Sequence, residues 1–177
     1  MIIAVASPSA SGKTTIVTKA MELTGIRRLK TTTTRKQRPE ENGTEYYFIS
    51  KSEFETGIHL GKFVEYNEVF GNYYGLTVNE VNSEGDSIII QDIDGVHTLK
   101  MKFPDSVRTI FIMPPPKDEL RKRLESRNTG DLADIETRLD RVDKEVADAG
   151  WFEYRLEYGI LDEMVDNFVK MIKMLTE

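Results

Sequence analysis

Residues 1 to 23 leave few options for the fold. Met1-Ile-Ile-Ala-Val-Ala6 is a continuous apolar run, the pattern of a strand buried on both faces of a parallel sheet. Ser7 to Gly12 follows as a turn, and from Lys13 to Leu23 the residues Ile16, Ala20 and Leu23 return at helical spacing. The joint itself, Ser7-Pro8-Ser9-Ala10-Ser11-Gly12-Lys13-Thr14, nearly fits the Walker A pattern G-x-x-x-x-G-K-[ST]. A loop in this place makes a concave anion site from consecutive backbone N–H groups, and the helix N-terminus adds partial positive charge. Ser9, Ala10, Ser11, Gly12, Lys13, Thr14 and Thr15 are therefore the expected contacts to nucleotide phosphates. Lys13 would reach the β- and γ-phosphates, and the Thr14 hydroxyl would ligate Mg²⁺. Ser7 stands where the pattern has its first glycine, so it must adopt an allowed conformation or bear strain.

Further along, buried-strand runs recur at Ser87–Ile93 and Val107–Met113, the second closed by Pro114-Pro115-Pro116. Lys117–Arg127 reads as a helix, 128–150 as a charged, mostly helical stretch, and Arg155–Tyr158 as a short strand. A last helix follows, with one stripe of Leu161, Met164, Val165, Phe168, Ile172 and Leu175. Residues 31–82 differ: rich in Thr, Tyr, Asn and Gly, they predict a small mixed insertion with weak core of its own. Strands alternating with helices give an α/β fold with a mainly parallel sheet.

Composition closes off other classes. Without cysteine there is no disulfide framework and no thiolate zinc site. The first apolar run is too short to span a bilayer and lacks the basic start of a leader peptide, so a cytoplasmic chain without membrane contact is expected. A net charge of −6 argues against nucleic acid as a partner. The basic residues are nevertheless bunched, Arg27 to Arg38 in one cluster and Arg121 to Arg141 in another, a pattern that fits either solvated helix faces or a binder of small anions.

Four further segments, in order, carry a family resemblance. Thr31-Thr-Thr-Thr-Arg35-Lys-Gln-Arg38-Pro39 resembles the S-x-T-T-R-x-x-R element of guanylate kinases, and Asn42-Gly-Thr-Glu-Tyr46-Tyr-Phe48 their N-G-x-x-Y-x-F segment. Phe63-Val-Glu65-Tyr66 and Gly71-Asn-Tyr-Tyr74-Gly75 resemble their F-x-E-[WY] and G-N-Y-Y-G pair. Arg123-Leu-Glu-Ser-Arg127-Asn-Thr129, with Arg138 beyond, is similar to their lid element. The resemblance implies a P-loop NTPase-type parallel sheet flanked by helices, with core at 1–30, 83–127 and 151–177. It also implies a monophosphate-binding insertion at 31–82 and a helical lid at 128–150. The implied reaction moves the γ-phosphoryl of ATP, as co-substrate with Mg²⁺, to GMP or dGMP, in a monomer or homodimer.

Roles follow residue by residue. Arg35 and Arg38 suit an acceptor monophosphate, since guanidinium forks bind phosphate oxygens bidentately; the resemblance adds Tyr46 and Tyr74 to the same phosphate. Glu65 is the base reader, because a carboxylate accepts guanine N1–H and N2–H whereas adenine has no donor at N1. By analogy Thr31 and one acid of Gln91-Asp92-Ile93-Asp94-Gly95 complete the pocket; Asp94, read as strand-end, is preferred, and either Asp92 or Asp94 could face Mg²⁺. Lys13, Arg123, Arg127 and Arg138 would stabilise the transferring phosphoryl, with Glu119–Arg123 salt bridging the plain alternative for Arg123. Leu76, where the family commonly has Ser, removes a polar contact to the base. Two other functions stay open: a kinase for another nucleoside monophosphate or a small phosphosugar, and a non-catalytic binding module on the same scaffold.

Overall fold

The computed structural model describes residues 1–39, 41, 43–126 and 132–177. The opening apolar run forms β1 (Ile2–Ala6), all five residues buried, and leads through the loop into α1 (Lys13–Thr24). Then come β2 (Arg27–Arg28), β3 (Thr31–Thr33), β4 (Tyr46–Phe48), α2 (Lys51–His59), β5 (Phe63–Val69), β6 (Asn72–Thr77) and α3 (Val78–Val81). The second half is β7 (Ser87–Ile90), α4 (Ile93–Lys102), β8 (Val107–Ile112), α5 (Lys117–Ser126), α6 (Leu132–Ala147), a 3₁₀ turn (Asp148–Trp151), β9 (Tyr154–Leu156) and α7 (Leu161–Thr176).

One sheet has strand order β2-β7-β1-β8-β9, every pair parallel. Alternation along β1 divides the core in two. Ile3 and Val5 face one way and pack with Ile88, Ile90, Ile110 and Ile112 against α1 and α7, where Phe168 is fully buried. Ala4 and Ala6 face the other way, with Ile89 and Phe111, against Val96 and Leu99 of α4 and Phe152. Each fully buried aliphatic or aromatic side chain contributes about 1.5–3 kcal/mol.

A second sheet, order β4-β3-β6-β5, is mixed: β3–β4 parallel, the rest antiparallel. Here aromatic rings do the packing, Phe54 stacking on Phe63 at 4.2 Å and on Tyr73 at 5.2 Å. Gly57 and Gly75 make room, since a Cβ on either would lie 2.7 or 2.9 Å from the Phe63 ring. The Ser50 capping box with Glu53 starts α2. The β5–β6 hairpin turns at Phe70 and Gly71, whose φ of 49° and 74° are those of a primed turn.

In one place the chain departs from its sequence pattern. The apolar run expected to continue as strand to Ile93 stops at Ile90, because Asp92 caps a new helix, its carboxylate accepting from the Gly95 N–H at 2.7 Å. Asp94 is therefore no strand-end residue: it is exposed on the first turn of α4.

Candidate active site

The loop after β1 is shaped by its own side chains. Ser11 donates to the Pro8 carbonyl through its hydroxyl at 2.8 Å, and Gly12 enters α1 with φ 90°. Ser7 fills the place of the pattern's first glycine without a left-handed φ; that conformation falls on Ala10, φ 63°, at a cost of about 1–2 kcal/mol. The Lys13 ammonium donates to the Ser7 carbonyl at 3.2 Å and the Gln91 carbonyl at 3.3 Å, so it is drawn back over the loop. Burial lowers its pKa to about 8 against the pull of Asp92 and Glu145.

Lys13 opens on a cavity of about 260 Å³ whose floor is the loop and whose far wall comes from the second sheet. On that wall Glu65, 4% exposed, accepts from the Leu76 N–H at 3.1 Å and from the Gln91 amide, both on Oε1. Burial pushes its carboxyl up to about 8, opposed by the Gln91 hydrogen bond. Thr31, Tyr46 and Tyr74 line the same space, the two rings 6.3 Å apart edge to face.

Arg38 and Thr14 connect this space to a second cavity of about 620 Å³. Here Arg35 is held bidentately by Glu41, at 2.6 and 3.1 Å, and its guanidinium lies 5.5 Å from the Tyr46 ring centroid. That pairing raises the Arg35 pKa and depresses the Glu41 carboxyl, although partial burial works the other way on both. Arg28 pairs with Glu45 at 2.8 Å beside it.

From above, α6 closes the first cavity. Arg138 donates to the Ser9 hydroxyl at 3.3 Å and lies over the Phe70 ring at 4.2 Å, with Arg141 over the same ring at 5.1 Å. Behind the loop a third cavity of about 290 Å³ runs between Gly12, Arg123, Tyr158 and Leu161. Arg123 donates to the Ala10 carbonyl at 3.3 Å and also pairs with Glu119. The salt bridge and the loop contact thus coexist.

A family model described as guanylate kinase matches residues 1–175. The chain belongs to the guanylate kinase family. A guanylate kinase of Bdellovibrio bacteriovorus is 37% identical over 180 residues, covering 98% of this chain and 97% of its own length. One from Symbiobacterium thermophilum is 40% identical over 161 residues, covering 87% of this chain and 75% of that protein. The crystal structure of guanylate kinase from Anaplasma phagocytophilum matches with a TM-score of 0.80 at 26% identity, over 99% of this chain and 86% of that one. The architecture is the P-loop NTPase type expected from the sequence.

For a guanylate kinase-family chain, the distribution of the expected site residues is uneven. Ser9 to Thr14, Thr31, Arg38, Tyr46, Glu65, Tyr74 and Arg138 all line the first cavity. Arg35 lines the second, Arg123 the third, and Thr15 both of these. Asp92 lines the first cavity, whereas Asp94, the acid preferred from sequence, is not among its lining residues. Leu76 has its side chain fully buried in the core, and its N–H bonds Glu65. Arg127, Asn42, Asn128 and Thr129 lie outside the described residues.

Several lining residues were not singled out as site residues from sequence: Asn67, Phe70, Gln91, Arg141 and Glu145. For two of them a signal existed. Arg141 and Glu145 follow Arg138 at three and seven, one helix face, and Arg141 pairs with Glu145 at 3.5 Å. No helix among the described residues is long and apolar enough to cross a membrane.

Proposed function

We propose that this chain transfers the γ-phosphoryl of ATP to GMP or dGMP. One observation carries the reading: a phosphate loop with its lysine and a buried carboxylate look into a single cavity from opposite sides, with arginines between and above them. Such an arrangement aligns a polyphosphate with a purine monophosphate, and alignment with charge cancellation is most of what phosphoryl transfer needs.

In this reading the loop backbone and Lys13 hold the β- and γ-phosphates. Arg38 and Arg35, with the hydroxyls of Tyr46 and Tyr74, hold the acceptor phosphate, which takes over from Glu41 as the partner of Arg35. Glu65 accepts N–H donors of guanine. Arg138 and Arg123 neutralise charge on the moving group, Arg127 joining them by family analogy, and the base of ATP occupies the third cavity beside Tyr158. We take 31–82 as the acceptor-binding insertion, 128–150 as the lid that excludes water, and the remainder as core.

The donor set suits Mg²⁺. The exposed Thr14 hydroxyl and the Asp92 carboxylate are hard oxygen groups on one cavity, and a cation that takes most of its ligands from phosphates and water needs little more. When bound, it would neutralise charge between the phosphates. Asp92 is our choice over Asp94 on the grounds of exposure and position.

The test is an ADP-release assay across the common ribo- and deoxyribonucleoside monophosphates with MgATP. GMP and dGMP should stand out. Equal rates for all acceptors, or turnover of a phosphosugar in their place, would overturn the assignment. Failure to bind MgATP in calorimetry would point instead to a binding module.

A further inference from the structure

Gln91 carries a buried polar atom that no internal contact explains. Its backbone continues the strand, donating to the Val5 carbonyl at 3.1 Å, while its own carbonyl receives Lys13. The side chain is 9% exposed and lines the first cavity. Its amide nitrogen donates to Glu65 Oε1, the orientation that serves Glu65 in the ionised form that accepts from a base. Its amide oxygen is buried without a partner. An orphaned buried acceptor costs about 1–3 kcal/mol, so a ligand donor that reached it would recover that amount.

The neighbouring groups narrow what that donor is. Glu65 Oε1 already accepts twice, from Gln91 and from the Leu76 N–H, which leaves Oε2 to meet a base. Asn67 accepts from the Glu68 N–H and donates to Asp92 at 3.1 Å, and Asp92, which caps α4, is the acid assigned above to Mg²⁺. The wall therefore offers two acceptors, Glu65 Oε2 and Gln91 Oε1. Gly95 backs both: a Cβ there would lie 3.3 Å from Gln91 Cδ and 3.3 Å from Glu65 Oε2. A ligand that satisfies the pair must bring two adjacent N–H donors, as the N1–H and exocyclic N2–H of guanine do. Hypoxanthine brings only the first.

We propose that Gln91 determines specificity by accepting the exocyclic amine of guanine through its amide oxygen, beside Glu65, which takes N1–H. This rests on the assignment of guanine to the cavity. A site built to hydrogen-bond a substrate N–H rejects the analogue that lacks it, because its own buried group stays unpaired. The same acceptor supplies the polar contact that Leu76, turned into the core, does not.

The test compares kcat/KM for GMP and IMP, with MgATP, in the unmodified protein and in Gln91→Met. The unmodified protein should prefer GMP. In Gln91→Met that preference, the ratio of the two kcat/KM values, should fall by about tenfold. Equal losses for GMP and IMP would mean that Gln91 only orients Glu65, and would overturn the proposal. A wild-type protein that uses GMP and IMP alike would overturn it even if the variant fails to fold. A wild-type protein inactive on GMP and IMP alike would refute the functional reading itself, a separate result.

Discussion

The two sheets of this molecule are made of different material. In the parallel sheet β1 and β7 are buried at every residue, and helices cover both faces. In the mixed sheet β5 buries only Glu65, and an aromatic layer around Phe54 replaces an aliphatic core. The first sheet gains rigidity from continuous apolar contact and hangs the phosphate loop from its centre. The second is held by ring stacking, by glycines that admit those rings, and by ion pairs such as Arg35–Glu41 and Arg28–Glu45. Yet one physical cause acts in both. Burial lowers the Lys13 ammonium and raises the Glu65 carboxyl to the same pKa of about 8. The two ends of the proposed site thus rest on supports of different construction.

The largest effect expected is at the phosphate loop. Lys13→Ala should lower kcat by about 10²–10³-fold, the range for removing one preorganised charge-stabilising donor, without lowering the melting temperature. Undiminished turnover would break the assignment of the loop. Next comes the second sheet. Gly75→Ala brings a Cβ within 2.9 Å of Phe54 and Phe63 and 3.0 Å of the Glu65 carbonyl, and should destabilise by about 1–3 kcal/mol, read by urea denaturation. GMP binding should suffer while MgATP binding by calorimetry is retained; equal loss of both would make the two sheets one cooperative unit.

The pH response should separate the halves in sign. Lys13 binds phosphate as a cation, so ATP affinity should fall as pH rises through 8. Glu65 accepts as a carboxylate, so GMP affinity should rise through the same range, each by at most about tenfold per pH unit. In the unliganded protein the same two groups make stability depend on pH. Between 4.5 and 8 the folded Glu65 holds a proton that the unfolded chain has lost, so its contribution to stability declines with pH. Between 8 and 10.5 the unfolded Lys13 holds the extra proton, and its contribution grows. Affinities moving in the same direction would refute this division. The smallest effect expected is at the contact between the parts. Phe70→Ala removes a ring shared by Arg138 and Arg141, about 0.5–1 kcal/mol for each exposed cation–π pair, and should raise KM a few-fold and lower stability by at most about 2 kcal/mol.

Legibility in the sequence followed the same division. β1, β7, β8 and the stripe of α7 could be read because burial on both faces demands apolar runs, and a helix packed on one side demands spacing of three and four. The mixed sheet was visible as a region, through its motifs, but α2 was not read although Ser50 and Glu53 spell a capping box. α4 was hidden by Gly95, which looks like punctuation yet sits in the first turn, where a Cβ would come within 2.9 Å of Asp92 Oδ1. Asp94 reads as a strand-end residue only because that helix is not legible in the apolar pattern. Gln91 and Phe70 could not be found by pattern, because their roles depend on contacts with residues 26 and 68 positions away.

Arg138 touches both halves at once, Ser9 of the loop on one side and Phe70 of the hairpin on the other. If the donor and acceptor sites are those proposed, a single side chain is shared between them, and a nucleotide that shifts it on one side alters the free energy of occupying the other. Such coupling is reciprocal: whatever factor ATP applies to the affinity for GMP, GMP applies to the affinity for ATP.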